Sequence, residues 1–210
     1  MIRFSSRMAT PRFAVVVTIS LAIVAAAAAP PVVVAQGEVS MSVDEFNGFA
    51  WGTPAPELYA RLGAPLQADT LPGEMVVLAY RDSLEGSASV AMYAMLGEVG
   101  LVKGQHSIPF DEMESTGGCE AQFVRLRKHL LLKDPMIVPE DRSRNDSPKA
   151  FCEAVLDGDA AWISTWLDPV SGARAMVVID AGQPRLNVVF ESAEFLAWVE
   201  SRKSDPSSGP

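Results

Sequence analysis

The chain has 210 residues, nearly half of them hydrophobic, and its 17 basic and 26 acidic side chains give a formal charge of −9. A field of that sign disfavours nucleic acid and anionic membrane surfaces, and it promotes solubility and selection for basic partners. The length is enough to bury a core without staples, as one domain or as two tightly packed halves.

The amino end, MIRFSSRMATPRF, carries Arg3, Arg7 and Arg12 and no acid, and an apolar run from Phe13 to Ala29 follows it. That is the pattern of a secretory signal. Pro30 and Pro31 argue against cleavage directly after the alanines. Val33 and Ala35 stand at the minus-three and minus-one places of a small-residue site, so residues 1–35 are predicted to be the signal peptide and Gln36 the mature start. Its removal takes three arginines away and moves the formal charge from −9 to −12. The expected location is the periplasm or the outside medium, with no stable membrane insertion after cleavage. The rival reading is an uncleaved amino-terminal anchor, because the 17 residues of the apolar run reach the lower end of what spans a bilayer. No cysteine lies near the cleavage region, so a lipid-anchored terminus is not expected.

The mature chain begins with an aromatic strand containing Phe46, Phe49 and Trp51, followed by a short helix marked at both ends. Thr53 is the expected N-cap and Pro54 the first helical residue, where a missing N–H costs nothing. Leu58 and Leu62 share a face, Glu57 lies near the positive end of the dipole, and Gly63 supplies a left-handed stop before Pro65. Leu66–Gly73 reads as a loop and Glu74–Tyr80 as a strand. After a polar turn at Arg81–Gly86, Ser87–Leu96 is apolar on both alternating sets and so reads as a central strand covered on both faces, and Leu101–Ile108 is the next strand.

Ser115–Gly118 breaks the pattern before Glu120–Leu132, the strongest helical segment, with Phe123, Leu126 and Leu130 at helical spacing. Pro135, Pro139 and Pro148 frame a charged segment, Glu140–Asp146, which reads as an exposed loop. Phe151–Leu156 reads as a strand leading into an Asp157–Gly158 hairpin turn. Ala161–Leu167 alternates, with Trp162, Ser164 and Trp166 on one face and Ile163, Thr165 and Leu167 on the other. Ala173–Ile179 and Leu186–Phe190 are further strands. Ser192 is placed to cap a terminal helix in which Phe195, Trp198 and Val199 share a face.

The organisation that follows is a signal peptide at 1–35, a first half at 36–114, a second half at 115–202 packed with the first, and a disordered tail at 203–210. Each half places a helix before antiparallel strands, which suggests an internal duplication. The fold class is α+β, an antiparallel sheet with helices on one face. Cys119 and Cys152 are the only cysteines and an even number in an exported chain, so a single disulfide is expected between them. A redox pair would need the two thiols close in sequence, and here they are 33 positions apart.

Gly52, Thr53, Leu58, Leu62, Gly63 and Pro65 together resemble the helix motif of the small outer-membrane assembly lipoproteins called SmpA/OmlA or BamE. Tandem architectures of the β-lactamase-inhibitor-protein kind, with two helix-plus-sheet units and disulfides, look similar. The resemblance spans 14 residues, and the second half carries no clear copy of it. It implies a secreted, non-enzymatic, protein-binding module with helices against an antiparallel sheet.

No stretch carries a catalytic, metal or nucleotide signature, and no catalytic, metal-binding or cofactor-binding residue is assigned. The only histidines are His106 and His129, and no GxSxG turn exists. Asp111, Glu112 and Glu114 supply hard oxygen ligands without alternate spacing or a turning glycine. Gly117 and Gly118 precede a helix, but Cys119 and Glu120 stand where a phosphate loop needs a lysine and a hydroxyl. Trp162 and Trp166 fit either core packing or the grip of a partner. Arg142 and Arg144, with Lys149, make the one local positive patch for an acidic partner. The expected function is an exported non-enzymatic module that binds an envelope or secreted protein. The alternatives are a small-ligand carrier with an apolar cavity lined by Met92, Met95 and Phe110, and an enzyme whose site is scattered in sequence and converges in a deep pocket.

Overall fold

A computed structural model describes residues 43–71, 73–133 and 138–203. The expected signal peptide, its Ala35–Gln36 boundary, Pro135 and all of the expected 203–210 tail except Lys203, which ends the terminal helix, lie outside the described residues. The first element is a hairpin, β1 (Glu45–Phe46) and β2 (Phe49–Ala50), closed by Asn47 and Gly48 with φ of 52° and 72°. Two successive positive φ values are what a two-residue turn with the natural strand twist requires, and Asn-Gly is the pair that reaches them most easily.

Helix α1 (Ala55–Leu62) follows, then the strands β3 (Gln67–Leu71), β4 (Met75–Leu84), β5 (Ser87–Leu96) and β6 (Gly100–Pro109). Helix α2 (Gly118–Lys133), strand β7 (Glu140–Asn145), helix α3 (Phe151–Leu156), strands β8 (Ala160–Leu167), β9 (Arg174–Ile179) and β10 (Arg185–Glu191), and helix α4 (Ala193–Lys203) complete the chain. Among the described residues, eight strands form one antiparallel sheet in the order β3-β4-β5-β6-β10-β9-β8-β7. Each half contributes four neighbouring strands, and the last strand of each, β6 and β10, pair antiparallel at the centre.

Period-two alternation divides the sheet's side chains between two faces. Leu78, Tyr93, Ile108, Val188, Val177 and Trp166 join Leu58 of α1 and Phe123, Leu126 and Leu130 of α2 in the main core. On the opposite face, register places Arg81, Val90, Ser107, Asn187, Val178, Ile163 and Arg142 in one rung across seven strands. Helix α4 seats Phe195 on this second face, its ring 4.9 Å from Lys103 Nζ. The α+β class and the antiparallel sheet are those the sequence predicts, and the terminal helix adds cover on the face away from the main core. Ser192 caps it as expected, accepting from the Phe195 N–H at 3.2 Å.

Several local expectations are corrected, beginning with the single aromatic strand over Phe46–Trp51, which is the β1–β2 hairpin, and the polar turn at Arg81–Gly86, through which β4 continues to Leu84. Gln67–Leu71 is an edge strand rather than a loop, because its pairing to β4 needs only the backbone, and its half-buried, half-exposed side chains carry little pattern. Glu140–Asn145 is the opposite edge strand, exposed throughout, and its charges are the kind that discourage further pairing. Phe151–Leu156 is a helix, since six apolar-rich residues do not separate helix from strand by period. Asp157 and Gly158 accordingly close a helix rather than a hairpin, with Asp157 N–H donating to Glu153 O at 3.1 Å. Thr53 does not cap α1. Pro54 holds that position, Pro56 in the first turn has no N–H to offer, and the Thr53 hydroxyl donates instead to Ala50 O at 2.7 Å.

Gly63 ends α1 at φ 76°, as its position predicts. Gly104 matters for a different reason, because Phe46 lies flat on its backbone and an added Cβ would sit 2.0 Å from a ring carbon. Gly104→Ala is expected to cost about 2–3 kcal/mol through overpacking, but much less in a Phe46→Ala background where the ring is gone. Urea unfolding of the two single variants and the double variant measures this. Equal costs of Gly104→Ala in both backgrounds would show that the ring is not the cause.

Candidate functional site

A connected group of five polar side chains lies under the β1–β2 turn. Asn47, in its left-handed conformation, inserts its amide between three strands of the sheet. Nδ2 donates to Asp82 Oδ2 on β4 at 3.1 Å and to the Tyr93 hydroxyl on β5 at 3.0 Å. Oδ1 faces His106 Nε2 on β6 at 2.9 Å. Ser89 Oγ stands 3.3 Å from the other ring nitrogen, Nδ1. Asp82 and Ser89 are register partners, and Ala91 beside Ser89 pairs with His106, so one face carries the whole set.

The partners decide the tautomer. Both Asn47 N–H groups are spent on the carboxylate and the phenol, so its oxygen accepts from His106 Nε2–H, and Nδ1 is left to accept from the Ser89 hydroxyl. The ring is fully buried beside Phe46, with centroids 5.0 Å apart. Burial disfavours the imidazolium and pushes its pKa down from 6.5 to about 4. Desolvation likewise raises Asp82 above the usual carboxylate range, opposed by the Ser83 N–H and the Asn47 amide, and raises the Tyr93 phenol.

In outline, Ser89, His106 and Asn47 form a nucleophile, a base and an orienting amide. Ser89 is 6% exposed and the ring 0%, so no reacting atom reaches Oγ while the hairpin is seated. What the arrangement does in this form is clamp the hairpin to three strands at once.

A second polar line runs along the central pair on the other face. Lys103 Nζ lies 2.9 Å from Glu191 Oε1, and Arg174 Nε lies 2.9 Å from Oε2, so one carboxylate on β10 bridges cations on both neighbouring strands. Gln105 donates to Asn187 at 3.0 Å beside it. Met176, Val178 and Val189, with Ile163, form a small apolar cluster on the same face, separate from the main core.

Cys119 and Cys152 are bonded, with Cα atoms 6.0 Å apart, and tie α2 to α3. Such a bond suggests an oxidising compartment outside the cytoplasm. No helix of the described residues is long and apolar enough to cross a membrane. Trp166 is 2% exposed in the core, and Trp162 stacks on Phe123 at 4.1 Å with Phe151 edge-on, so both rings are committed to packing. Arg142 pairs with Glu140 at 2.6 Å, Arg144 approaches Asp146 at 3.6 Å and donates to Gly158 O at 2.8 Å, and Lys149 pairs with Asp157. The positive patch read from the sequence is thus neutralised pair by pair.

His129 meets Glu85 at 3.0 Å. Met92 and Met95 point to opposite faces of β5 and do not line one cavity. Among the described residues, no group of three or more His, Cys, Asp or Glu is placed to hold a metal ion.

The sequence reading missed the Asn47 cluster. One local signal was present, the Asn47–Gly48 pair between aromatic residues, which marks a tight hairpin. Its partners stand 35 to 59 positions away, where no spacing rule reaches. No protein-family model, curated protein or solved structure matches the chain.

Proposed function

We propose that this is an exported, non-enzymatic protein-binding module that uses the sheet face opposite α1, α2 and α3. The observation that carries the reading is the distribution of charge on that face. In a chain of net charge −9, the long rung ends at one side in exposed Arg81 and at the other in Arg142, whose solvent-exposed pair with Glu140 is weak enough to exchange for a partner's carboxylate. Between them stand only uncharged side chains, Val90, Ser107, Asn187, Val178 and Ile163. Val178, Met176 and Val189 are nearly closed to solvent, so contact falls on the exposed rim, including Leu167. Such a face suits an acidic surface with some apolar content. The likeness of Gly52–Pro65 to the envelope-assembly lipoproteins supports the same reading.

The test is capture from an envelope extract on the immobilised protein. The expected result is an acidic partner whose binding weakens with salt, is lost in Arg81→Glu/Arg142→Glu, and persists in Lys128→Glu on α2. Recovery of no partner, or equal loss in both variants, would overturn the reading.

A further inference from the structure

We infer that the β1–β2 hairpin is an acid-released strap, held closed over His106 only while that ring is uncharged. The hairpin forms its own two-stranded sheet, and its turn reaches the eight-stranded sheet through the Asn47 amide. Further along the segment it is tied by backbone bonds, Gly52 N–H to Leu101 O at 2.8 Å and Leu101 N–H to Thr53 O at 2.9 Å. Those bonds make a hinge at residues 52–53 from which the preceding turn can lift.

The lock depends on a neutral ring. An added proton goes to Nδ1, the nitrogen that accepts from Ser89, and puts a full charge beneath the Phe46 ring and beside the apolar core. The groups facing His106 do little to hold that charge. Asp82 on β4, 4.0 Å from Nδ1, attracts the charge without a hydrogen bond, its oxygens being engaged by Asn47 Nδ2 and the Ser83 N–H, and desolvation of the ring outweighs that pull. Tyr93 on β5 and Phe190 on β10 are neutral. Arg61 of α1, on the Gly48 carbonyl and over the Phe49 ring, adds a like charge above the turn. Water reaches the ring only when the hairpin lifts, and lifting uncovers Phe46, Phe49 and the bare backbone at Gly104.

The direction with pH follows from linkage. His106 has its pKa lowered in the closed form, so the open form binds more protons between pH 6.5 and about 4, and acidification favours opening across that window. Asp82 is shifted the other way and favours the closed form as it takes up its proton, so it opposes the release. From the histidine alone, the opening equilibrium is expected to rise about twentyfold between pH 7 and 5.

Hydrogen exchange on the full chain at pH 7 and pH 5, corrected for intrinsic rates, tests this. Amides of residues 46–50 are expected to lose about twentyfold in protection while those of residues 104–107 and 187–190 hold theirs, and His106→Gln is expected to abolish the difference. Loss of protection in both regions together, or a hairpin response that persists in His106→Gln, would overturn the inference. Should that variant fail to fold, the wild-type imidazole followed by NMR decides it. Protonation that tracks the hairpin amides supports the strap, and protonation with the hairpin still protected refutes it.

Discussion

Replacing Glu191 by glutamine is expected to lower stability by about 3–5 kcal/mol. The carboxylate is 2% exposed and serves two cations, Lys103 on one neighbouring strand and Arg174 on the other. Glutamine keeps the shape but removes the charge, which leaves a buried ammonium facing a neutral amide with a guanidinium close behind it. Arg174 is about one-third exposed and turns to solvent, whereas Lys103, 6% exposed and covered by Phe195, has no such escape.

The cause is uncompensated charge rather than lost packing, and this makes a second outcome predictable. Lys103→Met/Glu191→Leu replaces the pair by apolar side chains of similar volume and is expected to recover most of the loss, because a well-packed substitute for a buried ion pair is often neutral. Urea unfolding at neutral pH, with the midpoint compared at constant slope, measures both. A single-variant cost below about 1 kcal/mol would show that water or a rearranged Lys103 relieves the charge.

Loss of the Cys119–Cys152 disulfide is the second large effect. It closes a loop with a sequence separation of 33, and the chain-entropy model gives about 3–4 kcal/mol for that length. For a chain of this size the melting temperature should fall by about 10 °C. The expected effect is also local, because α3 has six residues, too few to be stable as an isolated helix, and the bond ties it to the sixteen-residue α2. Calorimetry of Cys119→Ala/Cys152→Ala against wild type, with and without reductant, gives the magnitude. Exchange at residues 151–156 shows whether α3 loosens first. A shift of less than about 3 °C would mean that packing of Ala154 and Val155 holds α3 unaided.

The features read correctly from the sequence are those set within a few residues of each other. Ser192 and Phe195 are three apart, as N-capping needs, and the Trp162, Ser164 and Trp166 face follows from strand alternation alone. Gly63 stops α1 because only a residue without a side chain takes its φ without strain. Edge strands β3 and β7 were illegible because an edge is defined by backbone pairing, and half of its surface asks nothing of side-chain polarity. Helix α3 was illegible because six residues span too few turns for a period to show.

The polar clusters escaped for a different reason. Lys103 and Glu191 are 88 positions apart, and His106 and Asn47 are 59 apart. Read locally, a lysine and a histidine on a strand are surface residues of an alternating pattern. They are buried because β6 is covered on both faces, by the hairpin on one side and by α4 over Lys103 on the other.

By itself, then, the sequence determined the α+β class, most of the strands, the two helix stops and caps that rest on Gly63 and Ser192, and the one cysteine pair, all consequences of short-range geometry and composition. Only the tertiary structure decided that the two four-strand halves join through β6 and β10, and that Asn47 meets His106 beneath the turn. It also decided that Glu191 stands between two cations. Each of these rests on strand register across the centre of the sheet, and register between distant strands is set by how whole faces pack rather than by any residue's neighbours in the chain.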